Sequence, residues 1–230
     1  MQIGLLIIAT EKYSTYVEPL LNSADKYFLE GHSVTYFIFT NKKIELTTDR
    51  NVVFIDVEHR DWPWMTLGRY EIFDSNSESF SDMDYLFYCD VDMRFESHVG
   101  TEIISDRVAT QHPGYWSTRG VPETRPESTA YVSEEEEMEY FAGGFNGGSR
   151  EEFIKMSKII SKNILDDLSK GIIAIWHDES HLNRYFIDNK PTLILNNSYC
   201  CDEYGNSPFG RKLVCLYKSI ELANELRSIN

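Results

Sequence analysis

A chain of 230 residues is long enough for one large α/β domain and too short for two ordinary domains and a linker. Apolar residues make up 42 % of it, with 13 Phe and 14 Tyr, which excludes a disordered chain and predicts a sizeable core. The formal net charge of −15 argues against nucleic acid as a partner, because phosphate binding needs clustered Lys and Arg; binding even a nucleotide here calls for a divalent cation or a few placed basic groups.

The N-terminus, MQIGLLIIATEKY, has no basic region typical of a signal peptide, and its apolar run is too short to span a membrane. It reads as the first core strand, residues 3–9, of a soluble, cytoplasmic protein without a transmembrane anchor. Thr15 and Glu18 have capping-box spacing, and Val17, Leu20, Leu21, Ala24 and Phe28 follow as a helical stripe that Gly31 ends. Pro19 is tolerable only near the start of that helix. Strands are predicted over 34–39, 52–57 and 85–89, with a short helix over 67–73. Strands alternating with helices predict an α/β fold with a mostly parallel sheet, in which ligands bind beyond the carboxyl ends of the strands. The strand over 85–89 ends on Asp90. From His112 the pattern turns to loops, including the acidic run 134–137, before a helix near 151–168 and the segment WHDESHLNRYF. Cys89, Cys200, Cys201 and Cys215 have no CxxC spacing, which favours free thiols in a reducing compartment.

Asp90-Val91-Asp92 is the central motif. Alternate residues of an extended segment project to one side, so both carboxylates can face one Mg²⁺ or Mn²⁺ bridged to a diphosphate. Asp82-Met83-Asp84 has the same spacing but precedes the strand, where a solvated turn is expected. FAGGFNGG, residues 141–148, is neither a P-loop nor G-x-G-x-x-G; it allows close approach of backbone to a ligand, or a tight turn into a helix. Trp176 through His181 combines an aromatic platform, two carboxylates and two imidazoles, a set that suits a sugar. His177 and His181 could also hold zinc, but the order is not H-E-x-x-H and a third ligand is missing. Asp178 and Glu179 read equally well as helix N-terminal charges, and Glu179 as a nucleophile or stabiliser of an oxocarbenium ion.

In this order the stretches IGLLIIATEKY, GHSVTYFIFT, residues 62–69, YCDVDMRFESHVG, HPGYW, RPESTAY, YFAGGFNGG and WHDESHLNRYF resemble the glycosyltransferase family of the histo-blood-group A and B transferases and the α-1,3-galactosyltransferases, family 6. The resemblance covers most of residues 1–200. It implies a single-domain GT-A fold, Rossmann-like with helices on both faces, whose nucleotide-binding half is 1–95 and acceptor-binding half 96–230. It further implies a retaining, metal-dependent hexosyltransferase, with Mn²⁺ (or Mg²⁺), that moves GalNAc or Gal from a UDP-sugar donor in α-1,3 linkage to an oligosaccharide or glycolipid acceptor. By position, Asp90 and Asp92, with Val91 between them, correspond to the metal and diphosphate site, Ala9 and Tyr13 to uridine contacts, and Arg69 to a base- or phosphate-side contact. Ala142, Gly143 and Gly144 form the donor-sugar segment; small residues at 142 and 144 leave room for an N-acetyl group and favour GalNAc. Asp178 corresponds to a donor-sugar contact. His112, Trp176, Glu179 and Asp202 correspond to acceptor-side residues, Glu179 also being the candidate catalytic carboxylate.

Against the family pattern, this sequence lacks the anchor and stem of the animal enzymes, as a soluble microbial or viral-type member would. It is shortened between HPGYW and RPESTAY, and it fades after Tyr199. The basic tail expected to close over the diphosphate is represented by Arg211, Lys212, Lys218 and Arg227, with Lys218 as the candidate phosphate contact on a mobile C-terminal segment. Two other functions compete with transfer: a UDP-sugar hydrolase with a decayed acceptor site, and a non-catalytic glycan-binding module.

Overall fold

The computed structural model describes residues 1–205 and 207–227. A seven-stranded sheet runs through the molecule in the order β3 (Asn51–Asp56), β2 (Ser33–Thr40), β1 (Gln2–Ile8), β4 (Tyr85–Cys89), β7 (Phe145–Ser149), β6 (Arg107–Thr110), β8 (Leu193–Leu195). All its pairings are parallel except those of β7, which is antiparallel to both neighbours. β1 is apolar on both faces because helices cover both. Ile3, Leu5 and Ile7 pack with α1 (Val17–Tyr27), while Leu6 packs with Phe37 and Leu86 against α3 (Arg69–Ser75), α4 (Arg150–Ser169) and α5 (His177–Asp188). A second, three-stranded sheet joins β5 (Met93–Phe95), β10 (Leu213–Cys215) and β9 (Cys201–Asp202), and α6 (Ile220–Arg227) follows it.

Most predicted elements form within one or two residues of their expected bounds. The exceptions are local. Residues 11–16 make a 3₁₀ turn before α1, and the Thr15 hydroxyl donates back to the Lys12 carbonyl at 2.8 Å, so the expected capping box does not form. Pro19 occupies the first turn of α1, where its missing N–H costs nothing. The helix ends at Tyr27 rather than at Gly31, because Phe28 leaves it to bridge Val99. Gly31, with φ of +77°, turns the chain into β2 instead. The helix expected over 67–73 is two, α2 (Trp64–Leu67) and α3, divided at Gly68. FAGGFNGG is a turn at 143–144 followed by β7, which runs through Ser149 directly into α4.

The topology gathers one edge of the sheet. β1 and β4 are parallel neighbours, with Leu6 opposite Tyr88, so their carboxyl ends deliver Ala9 and Asp90 side by side. β7 runs the other way, with Phe145 opposite Cys89, and therefore brings Gly143 and Gly144 to the same edge from its amino end. This register depends on glycine within β7. A Cβ on Gly148 would lie 2.0 Å from the Asp106 carbonyl oxygen, and one on Gly147 would lie 2.3 Å from the Phe87 ring. Gly148→Ala is expected to lower stability by about 1–3 kcal/mol, the cost of forcing extra volume into packed backbone. Urea unfolding checks this, and a loss below about 0.5 kcal/mol, an ordinary surface effect, would contradict the close approach.

Candidate active site

The N–H of Asp90 donates to the Gly144 carbonyl at 2.8 Å, which fixes the Asp90-Val91-Asp92 segment against the glycine segment. One Asp90 oxygen accepts from Arg69 Nη2 at 3.1 Å and from the Tyr88 hydroxyl. Arg69 is buried. Its Nη1 donates to the Gly143 carbonyl at 3.1 Å and lies 3.0 Å from Asp178 Oδ2, and its guanidinium covers the Tyr88 ring at 4.3 Å. The contact with Asp178 is an ion pair without hydrogen-bond alignment, so this buried carboxylate oxygen keeps an unused acceptor. Burial pushes the Asp178 carboxyl up to about 6, against the pull of Arg69.

Asp178 and Glu179 stand in the first turn of α5, after a left-handed His177 with φ of +52°. The two carboxylates have separate uses. The backbone N–H groups of Asp178 and Glu179 stabilise the Asp178 charge, as the helix-terminus view expects. The Glu179 side chain instead turns to the glycine segment and accepts from the Gly143 N–H at 2.8 Å. Burial raises the Glu179 carboxyl to about 7, although the Gly143 donor opposes this. The buried Tyr140 hydroxyl lies beside it and makes no hydrogen bond of ordinary geometry.

A cavity of about 330 Å³ opens in front of this cluster, lined by Thr10, Tyr13, His59, Trp62, Arg69, Asp90, Val91, Asp92 and Lys218 among others. Ala9 is fully buried behind its wall, and Tyr13 comes from the 3₁₀ turn. Lys218 pairs with the Asp92 carboxylate and lies 5.4 Å from the centre of the Tyr13 ring. The other tail cations are elsewhere: Arg211 pairs with Glu96 at 2.8 Å and Lys212 with Glu102 at 2.5 Å, while the Arg227 side chain is outside the described residues. Asp84 of the second D-x-D lies at the opposite end of β4, where it accepts from the Gln2 N–H at 2.7 Å.

On the far side of Glu179, His112 stacks on Tyr115 at 4.7 Å and meets Tyr140 at 5.7 Å. Burial lowers the His112 pKa, and the nearby Asp202 carboxylate opposes that. Trp176, at the N-cap of α5, is 45 % exposed, and its carbonyl accepts from the Glu179 N–H at 3.0 Å. The two imidazoles of WHDESH do not share a ligand. His177 meets the Trp62 ring at 5.1 Å, whereas His181 is buried 3.7 Å from Asp167 and held down to a pKa of about 4 by that burial. Among the described residues no group of three or more His, Cys, Asp and Glu could hold a metal ion, and no helix is long and apolar enough to cross a membrane.

Along residues 1–228 the sequence matches the profile of glycosyltransferase family 6. The chain belongs to that family. The α/β sheet with helices on both faces is accordingly its single GT-A-type domain. Relatives include histo-blood group ABO system transferase 1 of Rattus norvegicus, 37 % identical over 87 % of this chain and 61 % of its own length. Human globoside alpha-1,3-N-acetylgalactosaminyltransferase 1 is 33 % identical over 93 % of this chain and 65 % of its own. The O-antigen biosynthesis glycosyltransferase WbnI of Escherichia coli is 29 % identical over 90 % of this chain and 91 % of its own. The chain thus spans less than two thirds of the animal relatives named here.

Several residues at this family 6 site carry no signal in spacing alone. Tyr88 is two positions before Asp90 on an apolar strand, where its ring looks like core. Asn183 exchanges two hydrogen bonds with the Phe141 backbone, at 2.8 and 2.9 Å, and binds the Glu179 carbonyl at 2.9 Å. His59, bonded to Thr10 at 2.8 Å, lies in a segment with no recognisable pattern.

A group whose pKa is raised in the folded state binds protons more tightly there, so stability falls as pH rises through the interval between its unfolded and folded values. For Glu179 that interval runs from the ordinary 4.5 to about 7. Between pH 5 and 7 the wild type is therefore expected to lose on the order of 2 kcal/mol more stability than Glu179→Gln. Unfolding curves of both proteins across that range test this, and parallel pH profiles would refute the raised Glu179 carboxyl.

Proposed function

We infer that this chain is a retaining hexosyltransferase that moves GalNAc or Gal from a UDP-sugar, in α-1,3 linkage, to a galactose-type glycan. The observation that carries this reading is the unused acceptor on Asp178. A buried carboxylate oxygen, ion-paired but not hydrogen-bonded, lies 3.0 Å from Arg69, which lines the cavity and also donates to the Gly143 carbonyl. A sugar hydroxyl is the donor such an oxygen lacks. The names of the animal relatives, which include an alpha-1,3-N-acetylgalactosaminyltransferase, support the linkage and donor class.

Roles follow from position. Tyr13 and the end of β1 receive the uridine, and the glycine segment with Asp178 receives the hexose. Arg69 neutralises Asp90 and Asp178 while orienting the Gly143 carbonyl. Glu179 faces the donor segment from the acceptor side; ionised, it can stabilise positive charge growing on the anomeric carbon. His112, Trp176 and Asp202 supply the acceptor with a stacking surface and polar partners.

Asp90 and Asp92 open on the same cavity wall and are hard oxygen donors, a set that fits Mn²⁺ or Mg²⁺ completed by phosphate and water oxygens. Bound there, the cation would neutralise charge on the departing diphosphate. Lys218 pairs with the Asp92 carboxylate on the same wall.

UDP release from UDP-GalNAc, UDP-Gal, UDP-Glc and UDP-GlcNAc, with Mn²⁺ or with chelator, is the test. Turnover of the galacto donors with metal, lost in Asp90→Ala, is expected. No turnover of any donor, together with no metal-dependent UDP binding, would overturn the transferase reading. Donor turnover that no glycan accelerates would instead identify a hydrolase.

Gly144 carries the donor preference. A Cβ there would lie 3.0 Å from Asp90 Oδ2 and 3.4 Å from Met93 Sδ, so an added methyl group must project into the donor pocket or displace Asp90. Gly144→Ala is expected to cut kcat/KM for UDP-GalNAc about 10–200-fold relative to UDP-Gal, the range for one such group. An unchanged ratio would remove position 144 from donor selection.

A further inference from the structure

Trp116 and Phe209 are both large apolar side chains left 45 % and 51 % exposed, on loops distant in sequence. Their rings meet nearly edge-on, with centroids 6.2 Å apart and an interplanar angle of 87°. Single exposed aromatics are ordinary, but a contacting pair with open faces forms a surface a ligand can use. Both loops are held in place. The Tyr115 N–H donates to the His112 carbonyl at 3.1 Å, the Gly114 N–H to His112 Nδ1 at 3.0 Å, and the Thr118 N–H to the Tyr115 carbonyl at 3.0 Å. Opposite, the Phe209 N–H donates to the Ser207 hydroxyl at 3.2 Å, which itself donates to Asn197 at 2.8 Å. Gly210, with φ of +85°, completes that turn.

The pair is continuous with the candidate active site. Tyr140 lies beside Glu179; Tyr115 meets Tyr140 at 5.3 Å; Trp116 follows Tyr115 in the chain and meets Phe209. An aromatic row thus runs from the candidate catalytic carboxylate outward, past His112, to the surface. Pyranose rings stack their C–H faces on such surfaces, and preorganised aromatics lose little entropy on binding. The neighbourhood disfavours anionic sugars. Asp202 stands beside His112, and Arg119, the cation next along the loop, turns its guanidinium onto the Ser133 and Glu136 carbonyls.

We propose that Trp116 and Phe209 form an outer acceptor subsite, which stacks a neutral sugar two or three residues removed from the galactose that receives the transfer. The subsite rests on the transferase reading and makes the enzyme a selector of glycan length as well as of terminal sugar.

The test uses methyl β-galactoside, lactose and a neutral tetrasaccharide with the same β-galactose end as acceptors, in the wild type, Trp116→Ala, Trp116→Phe and Phe209→Ala. UDP release without acceptor reports folded, donor-competent protein in each. In the wild type the tetrasaccharide is expected to exceed lactose in kcat/KM by about tenfold, chiefly through KM. Either alanine variant abolishes that ratio, and Trp116→Phe retains part of it. A wild-type ratio near one, an alanine variant that leaves the ratio intact, or donor turnover that none of these glycans accelerates would each overturn the subsite while leaving donor chemistry standing. Absence of UDP release from every donor would overturn the transferase reading itself, and the subsite with it.

Discussion

The site depends on one buried cation in an acidic protein. Arg69 is the first residue of α3, and its guanidinium touches three separate pieces of chain: Asp90 at the end of β4, the Gly143 carbonyl, and Asp178 at the start of α5. Without it, two partly or fully buried carboxylates would face each other with no compensating charge. Removing one partner from such a cluster costs about 3–5 kcal/mol, because the remaining charges stay buried. Burial works against the charge of Arg69, but Asp178, Tyr88 and Asp90 together hold its pKa well above the ordinary value, so it stays positive throughout. The division between α2 and α3 at Gly68 starts α3 at Arg69.

Around that cation the sheet supplies the alignment. Parallel β1 and β4 and antiparallel β7 bring two carboxyl ends and one amino end to a single edge, so Ala9, Asp90 and the glycine segment become neighbours without long loops. Asn183 then ties the glycine segment to α5. It holds the Phe141 backbone by both ends of its amide and the Glu179 carbonyl by one, so the segment that follows Phe141 and the helix that carries Glu179 form one body. The Gly143 N–H bond to Glu179 closes that ring of contacts.

Much of this was legible in the sequence, for physical reasons. An apolar strand that stops at Asp90-Val91-Asp92 places two carboxylates where α/β sheets bind ligands, whereas Asp82-Met83-Asp84, before the strand, goes to the other end. Periodicity located α1 and α4 because their buried faces are apolar. It could not show the 3₁₀ turn before α1 or the break at Gly68, which single hydrogen bonds decide. Nor could it distinguish Tyr88 from a core aromatic, since only the hydroxyl contact with Asp90 does so. The pairing of Trp116 with Phe209 was out of reach altogether, because the two residues lie on separate loops that no periodic pattern relates. Tertiary contacts across loops leave no periodic trace.

The tail shows how register can replace a motif. After β10 pairs with β5, Cys215 opposite Met93, the Leu216 N–H donates to the Asp92 carbonyl at 2.9 Å. Lys218, two residues on, is thereby delivered to the Asp92 carboxylate by strand pairing rather than by chance contact. α6 then returns over the 3₁₀ turn, where Lys12 lies 3.7 Å from Glu225, and Leu226 reaches the cavity wall. On the proposed function, a nucleotide diphosphate entering that cavity would bring further negative charge to Asp92. An ammonium group has no fixed fork geometry and can exchange a carboxylate for a phosphate by rotating on its stem. Arg69, locked among three planar partners, cannot. Arg69 and Lys218 therefore differ in kind: the guanidinium is fixed among Asp90, Gly143 and Asp178, whereas the tail lysine is a flexible ammonium that register delivers to Asp92.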